Sequence, residues 1–453
     1  MTRFALAGVA SVALVALARA DDWPQWMGPN RDCVWTEKGI VEKFPAGEMK
    51  PVWRVRVAAG YSGPAVAGEK VYLTDRVLAK GAKNPDDPFD KEQKVASTER
   101  VLCLDAKTGK ELWRHEYDCT YQISYPAGPR CTPTVHGGRV YTLGAMGDLR
   151  CLDANTGKLV WSKDFPKDYD AKVPMWGFCG HPLVYKSLLV CVAGGPKATV
   201  VAFDLGTGAE RWKALDARDP GYSPPTLIKA GGTDQVLVWH AAALNALDPN
   251  TGKLYWSAPL EPMYGMSVMA PRQSGDLLFA GGIGTSAVLR LDKDKPGATV
   301  LWKDAAEKGA TKLPKGRGLY PVNMTPFVDA GTVYGVDQPG MLRAVDLATG
   351  KKLWFTHRPV IGMEEAEDFK GSASGTAFVV KNGDRYFLFA ETGDLIAARL
   401  TPNGYEELSR TRLLEPTGAA FGRKVLWTHP AFANKCVFVR NDRELACFPL
   451  GAE

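Results

Sequence analysis

Leu102 to Trp113 reads LCLDAKTGKELW, and the phrase returns as LRCLDANTGKLVW from Leu149 to Trp161 and VVAFDLGTGAERW from Val200 to Trp212. It recurs as LNALDPNTGKLYW from Leu244 to Trp256 and LRAVDLATGKKLW from Leu342 to Trp354, with a lengthened copy, LRLDKDKPGATVLW, from Leu289 to Trp302. Each copy is a short β-rich run, a D-x-x-T-G turn and a second run carrying Trp. The Asp can accept hydrogen bonds from the turn backbone, the Gly supplies a positive φ, and the Trp offers a large face to a neighbouring unit. On this reading Asp105, Gly109, Trp113, Asp153, Gly157, Trp161, Asp204, Gly208 and Trp212 are structural, as are Asp248, Gly252, Trp256, Asp346, Gly350 and Trp354. Successive Trp residues lie 44 to 52 positions apart, too far for leucine-rich or tetratricopeptide units and suited to a four-stranded propeller blade.

Each unit opens on a small or polar residue before Pro, which suits the start of a strand because Pro lacks an N–H. The openings are Gly63-Pro64, Thr132-Pro133, His181-Pro182, Pro224-Pro225, Thr325-Pro326 and His429-Pro430, with Ala270-Pro271 a shifted copy and Ser374-Gly375 one without Pro. That makes eight units. Seven run over about 61–117, 128–165, 176–215, 221–260, 265–305, 319–358 and 371–414. The eighth, Val425 to Leu450, holds three strands, and Pro51-Val52-Trp53-Arg54-Val55 at the other end of the chain has the missing outer strand's Trp and alternation. The expected fold is therefore all-β, an eight-bladed propeller of four-stranded antiparallel blades with Trp53 closing the ring, which removes the open edge. The fifth copy lacks Thr-Gly and the seventh, LIAARLTPNGYEELSR, lacks Asp and Trp, so those blades are expected to pack least tightly.

The chain has 453 residues, 45% of them hydrophobic, with 47 Gly and 31 Pro, a composition of many short strands and turns. Arg3, the apolar stretch Phe4 to Leu17 and Ala18-Arg19-Ala20 follow the order of a secretory signal, too short to span a bilayer. Residues 1–20 are thus expected to be a cleaved signal peptide, 21–50 a leader and 51–453 the propeller, in a protein exported to the periplasm or beyond. No Cys stands at the cleavage point for a lipid anchor. Without Arg3 and Arg19 the balance is 54 basic to 50 acidic residues, or +4, with the charges interspersed. This does not indicate nucleic acid. Of nine Cys, Cys103, Cys151 and Cys447 occupy the repeat position held by Ala202, Ala246 and Ala344, and read as small buried packers. Cys436 with Cys447, and Cys119 with Cys131, stay open as disulfide pairs, since spacing does not settle connectivity.

The A-x-D-x-x-T-G-x-x-x-W repeat resembles that of the PQQ-like (pyrroloquinoline-quinone-type) propellers, which include the quinoprotein alcohol dehydrogenases and the eight-bladed outer-membrane assembly factor BamB. The likeness spans nearly all of the chain after residue 20. Asp22-Trp23-Pro24-Gln25-Trp26-Met27-Gly28-Pro29-Asn30-Arg31-Asp32 is similar to the D-W-P-x-W-R-G-P-x-x-D opening of secreted bacterial members, with Met27 where Arg is usual. For the dehydrogenases the resemblance implies a quinone over an adjacent Cys-Cys disulfide, a Trp on its other face, and Glu, Asn and Asp on calcium. Here no two Cys are adjacent, and no C-x-x-C-H haem motif, G-x-S-x-G elbow, H-E-x-x-H or P-loop occurs.

The six His, at 115, 136, 181, 240, 357 and 429, have no ligand spacing. If strands run A to D from axis to rim, the B-to-C turns and the D-to-A links share one face. That face collects the long segments Ala79 to Glu99, Asp118 to Ala127, Ala305 to Gly318 and Val360 to Lys370. Long loops on a rigid scaffold are where binding concentrates. Arg130, His181, Tyr222, Met266, Asn323, Ser372, Trp427 and His429 would line the channel mouth there. Trp427 and Tyr222 suit stacking on a planar or sugar ligand, or core packing. The reading is an exported, non-catalytic scaffold for protein or peptide partners, with no cofactor or metal, similar to BamB in envelope assembly. The alternatives are a PQQ-binding oxidoreductase-like protein and a carbohydrate-binding module.

Overall fold

The computed structural model describes residues 21–452, with the exception of 308, 311, 315 and 363–372. Residues 1–20 (expected to be a signal peptide), most of the acidic link and Ser372 lie outside the described residues. Among the described residues the strands form eight four-stranded antiparallel sheets and one two-stranded hairpin. The first blade pairs Ala65–Ala67, Lys70–Leu78, Val95–Asp105 and Glu111–Tyr121 in that order. Every opening Pro immediately precedes an inner strand, including Pro271 before Arg272–Ser274, so that copy is in register after all. The eighth blade is Ala431–Ala433, Cys436–Arg440 and Glu444–Pro449, completed by Trp53–Arg56, with Trp53 opposite Cys447. Val425 is not part of it. Gly418–Ala420 and Arg423–Val425 form a separate hairpin in the link before that blade.

The repeat locks blade to blade. Asp105 Oδ1 accepts from the Thr108 backbone and hydroxyl at 2.8 Å each, shaping a turn whose Gly109 has φ 71°. Trp53 of the preceding blade lies on that turn: its indole N–H donates to Ala106 O at 2.8 Å, and a Cβ on Gly109 would sit 2.7 Å from its ring. The contact repeats around the ring, Trp113 to Ala154 O, Trp161 to Leu205 O, Trp212 to Pro249 O and Trp302 to Leu347 O, at 2.9–3.1 Å. Glycine is thus required twice over, by its backbone conformation and by the ring against it. Within a blade each Trp faces a small residue across the strand pair, Cys103 opposite Trp113, Cys151 opposite Trp161, Ala202 opposite Trp212. A bulge beside each of these pairs shifts the register by one residue. This explains why Cys and Ala interchange there: the partner ring leaves room for little else.

The two irregular copies depart from the pattern differently, since Trp354 still reaches the seventh blade and donates to Thr401 O at 2.8 Å. Trp256 faces the fifth blade's lengthened loop and donates instead to Gln235 Oε1 of its own blade at 2.8 Å. In the seventh blade Ser409 holds the Trp register position, and its hydroxyl accepts the Phe44 N–H of the leader at 3.0 Å. All nine cysteines are free thiols, and Cys436 lies opposite Pro449, two positions from Cys447.

The leader closes one end of the axis. Trp23 bridges Val66 of the first blade, Pro24 O accepts Val135 N–H of the second, and Arg31 donates to Pro182 O and Pro225 O of the third and fourth. Arg272 of the fifth donates to Arg31 O and Asp32 O, and Lys381 of the seventh pairs with Cys33 and Trp35. Farther on, Asn382 and Lys435, beside A-to-B turns, hold Glu37. The leader therefore enters from the A-to-B face. Met27, 2% exposed, packs beneath the ring with φ 62°.

Candidate functional site

What remains of the channel is a cup of about 730 Å³ on the opposite face, lined by the D-to-A links of successive blades and floored by Trp26. The volume is that of a small-molecule site. Arg130, His181, Tyr222, Met266, Asn323, Trp427 and His429 line it; Ser372 is outside the described residues, and Ser374 lines the wall nearby. Tyr61, Tyr125, Trp176 and Phe378 also line it and were not anticipated from the sequence.

The floor is a stack. Trp26 lies 4.6 Å from His181 at 9° between planes, and its indole N–H donates to His429 Nε2 at 3.1 Å. Thr132 N–H donates to His181 Nδ1 at 3.0 Å. Each imidazole accepts through one nitrogen, so when neutral it carries its proton on the other: Nε2 of His181 and Nδ1 of His429. Burial keeps both rings neutral. It takes His181 well below the usual imidazole range, with His429 and Arg31 adding, and lowers His429 to about 3.

The walls are built by partners behind them. Arg130 donates to Trp176 O at 2.9 Å, Ser124 O at 3.1 Å and Tyr125 O at 2.7 Å, and also to Gly128 O. Its guanidinium thus ties two links together, 5.1 Å from the Tyr61 ring. Trp427 is aimed by Glu391, which accepts its N–H at 2.9 Å and pairs with Arg423 at 2.7 Å. Glu391, 2% exposed, is a positioning residue that no sequence motif flagged. Trp176 and Tyr222 meet edge to face at 5.4 Å. Asn323 donates to Ser374 O and Thr376 Oγ1, at 3.3 and 3.2 Å.

These residues do not fit PQQ. Among the described residues no Asp or Glu lines the cup, the one lining cation is Arg130 with its donors on carbonyls, and Cys179 is the one lining thiol. A multiply charged anion would be buried against no free positive charge, and no cluster of three metal-binding side chains occurs among the described residues.

A family model described as outer membrane protein assembly factor BamB matches residues 97–356 and 240–451. BamB of Yersinia pestis is 26% identical over 231 residues, 47% of this chain and 54% of that protein, so the chain spans about half the length of the curated relative it matches. The structure of BamB from Moraxella catarrhalis aligns with TM-score 0.57 at 15% identity, over 90% of this chain and 99% of that one. Quinohemoprotein alcohol dehydrogenase from Comamonas testosteroni aligns with TM-score 0.60 at 15% identity, over 97% and 82%. At these identities the structures speak for the fold, but the match to the family model covers well over half of the sequence, and the chain belongs to the BamB-like family of PQQ-like β-propellers.

Proposed function

We propose that this protein is an exported, non-catalytic propeller scaffold that binds protein or peptide partners through the face bearing the cup, within envelope assembly. The carrying observation is the rim. Phe89, Met175, Tyr264 and Phe421 stand around the mouth with 38–68% of their surface exposed. Tyr264 and Phe421 do so from left-handed backbone, φ 62° and 49°, a conformation that costs bulky residues energy and clusters at ligand sites. Exposed apolar residues grouped on one loop-rich rim mark an interaction surface better than scattered ones do. The family match supports the envelope setting. No described helix is long and apolar enough to cross a membrane.

The test is site-specific photo-crosslinking in cells, with the crosslinker at Tyr264 or Phe421 and, on an inner strand away from the rim, at Leu227. One discrete protein adduct from both rim positions and none from Leu227 supports the reading. Equal labelling at all three sites, or none anywhere, sinks it, and a glycan adduct would move the site to the carbohydrate alternative.

A further inference from the structure

We propose that the axial cup is a receptor site for one small, uncharged aromatic ligand carrying hydrogen-bond acceptors, independent of any protein docked on the rim. Closure comes first. The leader seals the channel beneath Trp26, 4% exposed, so the cup admits a ligand from one side and cannot be threaded by a chain. The charge of the lining comes second. Among the described residues no carboxylate lines the cup and Arg130 is already on carbonyls, so an anion meets no free partner there and a cation no counter-charge. Aromatic faces alone would suit a quaternary ammonium, but the floor opposes it with N–H donors.

Those donors are the third observation. His181, 7% exposed, uses Nδ1 as acceptor for Thr132, and His429 uses Nε2 as acceptor for Trp26. Nε2 of His181 and Nδ1 of His429 have no protein partner among the described residues, and neither is sealed from solvent, although both rings line the cup. Two fixed N–H groups on an apolar floor ask for a carbonyl or ether oxygen. Around them Trp427, aimed by Glu391, and Tyr222, set against Trp176, present preorganised rings for a planar group.

The experiment is calorimetric titration of the purified mature protein with coumarin, a planar uncharged ring with two acceptor oxygens. Coumarin-3-carboxylate, naphthalene, tetramethylammonium and N-acetyltyrosinamide supply the charged, acceptor-free, cationic and peptide arms. One site for coumarin is expected, with the carboxylate and naphthalene each weaker by about tenfold. His181→Phe should bring coumarin to the naphthalene level and leave naphthalene unchanged, while Trp427→Ala weakens both. His429→Phe repeats the donor test if His181→Phe melts early. No coumarin binding by the folded protein overturns the proposal, as does tighter binding of the carboxylate or of tetramethylammonium. Equal loss of naphthalene in both His variants removes the donor assignment. Preferential binding of N-acetyltyrosinamide gives the cup to a partner's side chain, and because no partner protein is present, failure here leaves the crosslinking test of the rim untouched.

Discussion

Trp53→Ala tests how the ring is closed. Trp53 is 8% exposed, lies on the Gly109 turn, donates to Ala106 O and sits opposite Cys447 on a closing strand only four residues long. Truncating a buried aromatic of this kind costs about 3–5 kcal/mol, and the orphaned Ala106 carbonyl adds to the upper end. For a unit of this size, unfolding entropy converts about 1 kcal/mol into about 1 °C. Scanning calorimetry should therefore show a drop in Tm of about 4 °C. Trp256→Ala is the internal control: its ring is partly exposed and its N–H stays within its own blade on Gln235, so about 1–2 kcal/mol is expected. If Trp53→Ala melts within 1 °C of wild type, or no lower than Trp256→Ala, the outer strand of the eighth blade does not hold the ring shut.

Gly208→Ala and Gly68→Ala both place a side chain at positive φ, 69° and 59°, but only at Gly208 would the Cβ meet a ring, 2.6 Å from Trp161. Urea unfolding should cost about 1 kcal/mol at Gly68 and about 3 kcal/mol at Gly208; equal costs would mean that the ring is not the constraint. The folded-state pKa of His429, about 3 against 6.5 for the free imidazole, means that the unfolded chain takes the proton first, so this group removes stability as pH falls from 6.5 toward 3. The difference between wild type and His429→Phe should change in the variant's favour by about 2 kcal/mol from pH 6.5 to 5, and a constant difference would refute burial of the neutral ring. Asp148 has the opposite sign. Burial first and Glu99 second raise it to about 6 from 3.8, so its protonation stabilises the fold as pH falls from 6 toward 4, and Asp148→Asn should lose that gain in the same pH series. Calorimetry with PQQ, with and without calcium, should show no stoichiometric binding; tight binding with alcohol turnover would make the cup an active site.

The blade count, the closing strand and the packing of each Trp against a neighbouring blade were legible because each is local chemistry repeated. Asp105, Thr108 and Gly109 shape their turn within five residues, and Cys103 faces Trp113 across a single hairpin. Departures from the pattern were legible as departures but not in their outcome. Nothing in the fifth copy says that Trp256 will turn to Gln235, nor in the seventh that Ser409 will take the Phe44 N–H of the leader. Val425 opens the eighth unit on the sequence reading but ends a separate hairpin in the structure, because a short β-rich run has the same alternation in either place.

By itself the sequence determined the architecture, since period, turn residues and small-against-Trp pairing act over about ten positions and are written contiguously. Seven of the eight residues it put at the channel mouth line the cup, because their offset from each inner strand repeats. Only the tertiary structure decided what they make together. Trp26 meets His181 and His429 across more than 150 and 400 positions of chain, and Arg130 spends its guanidinium on carbonyls rather than on a ligand. Closing the ring brings these groups to one axis, and which nitrogen, ring or carbonyl then faces which depends on angles between blades that no local pattern encodes.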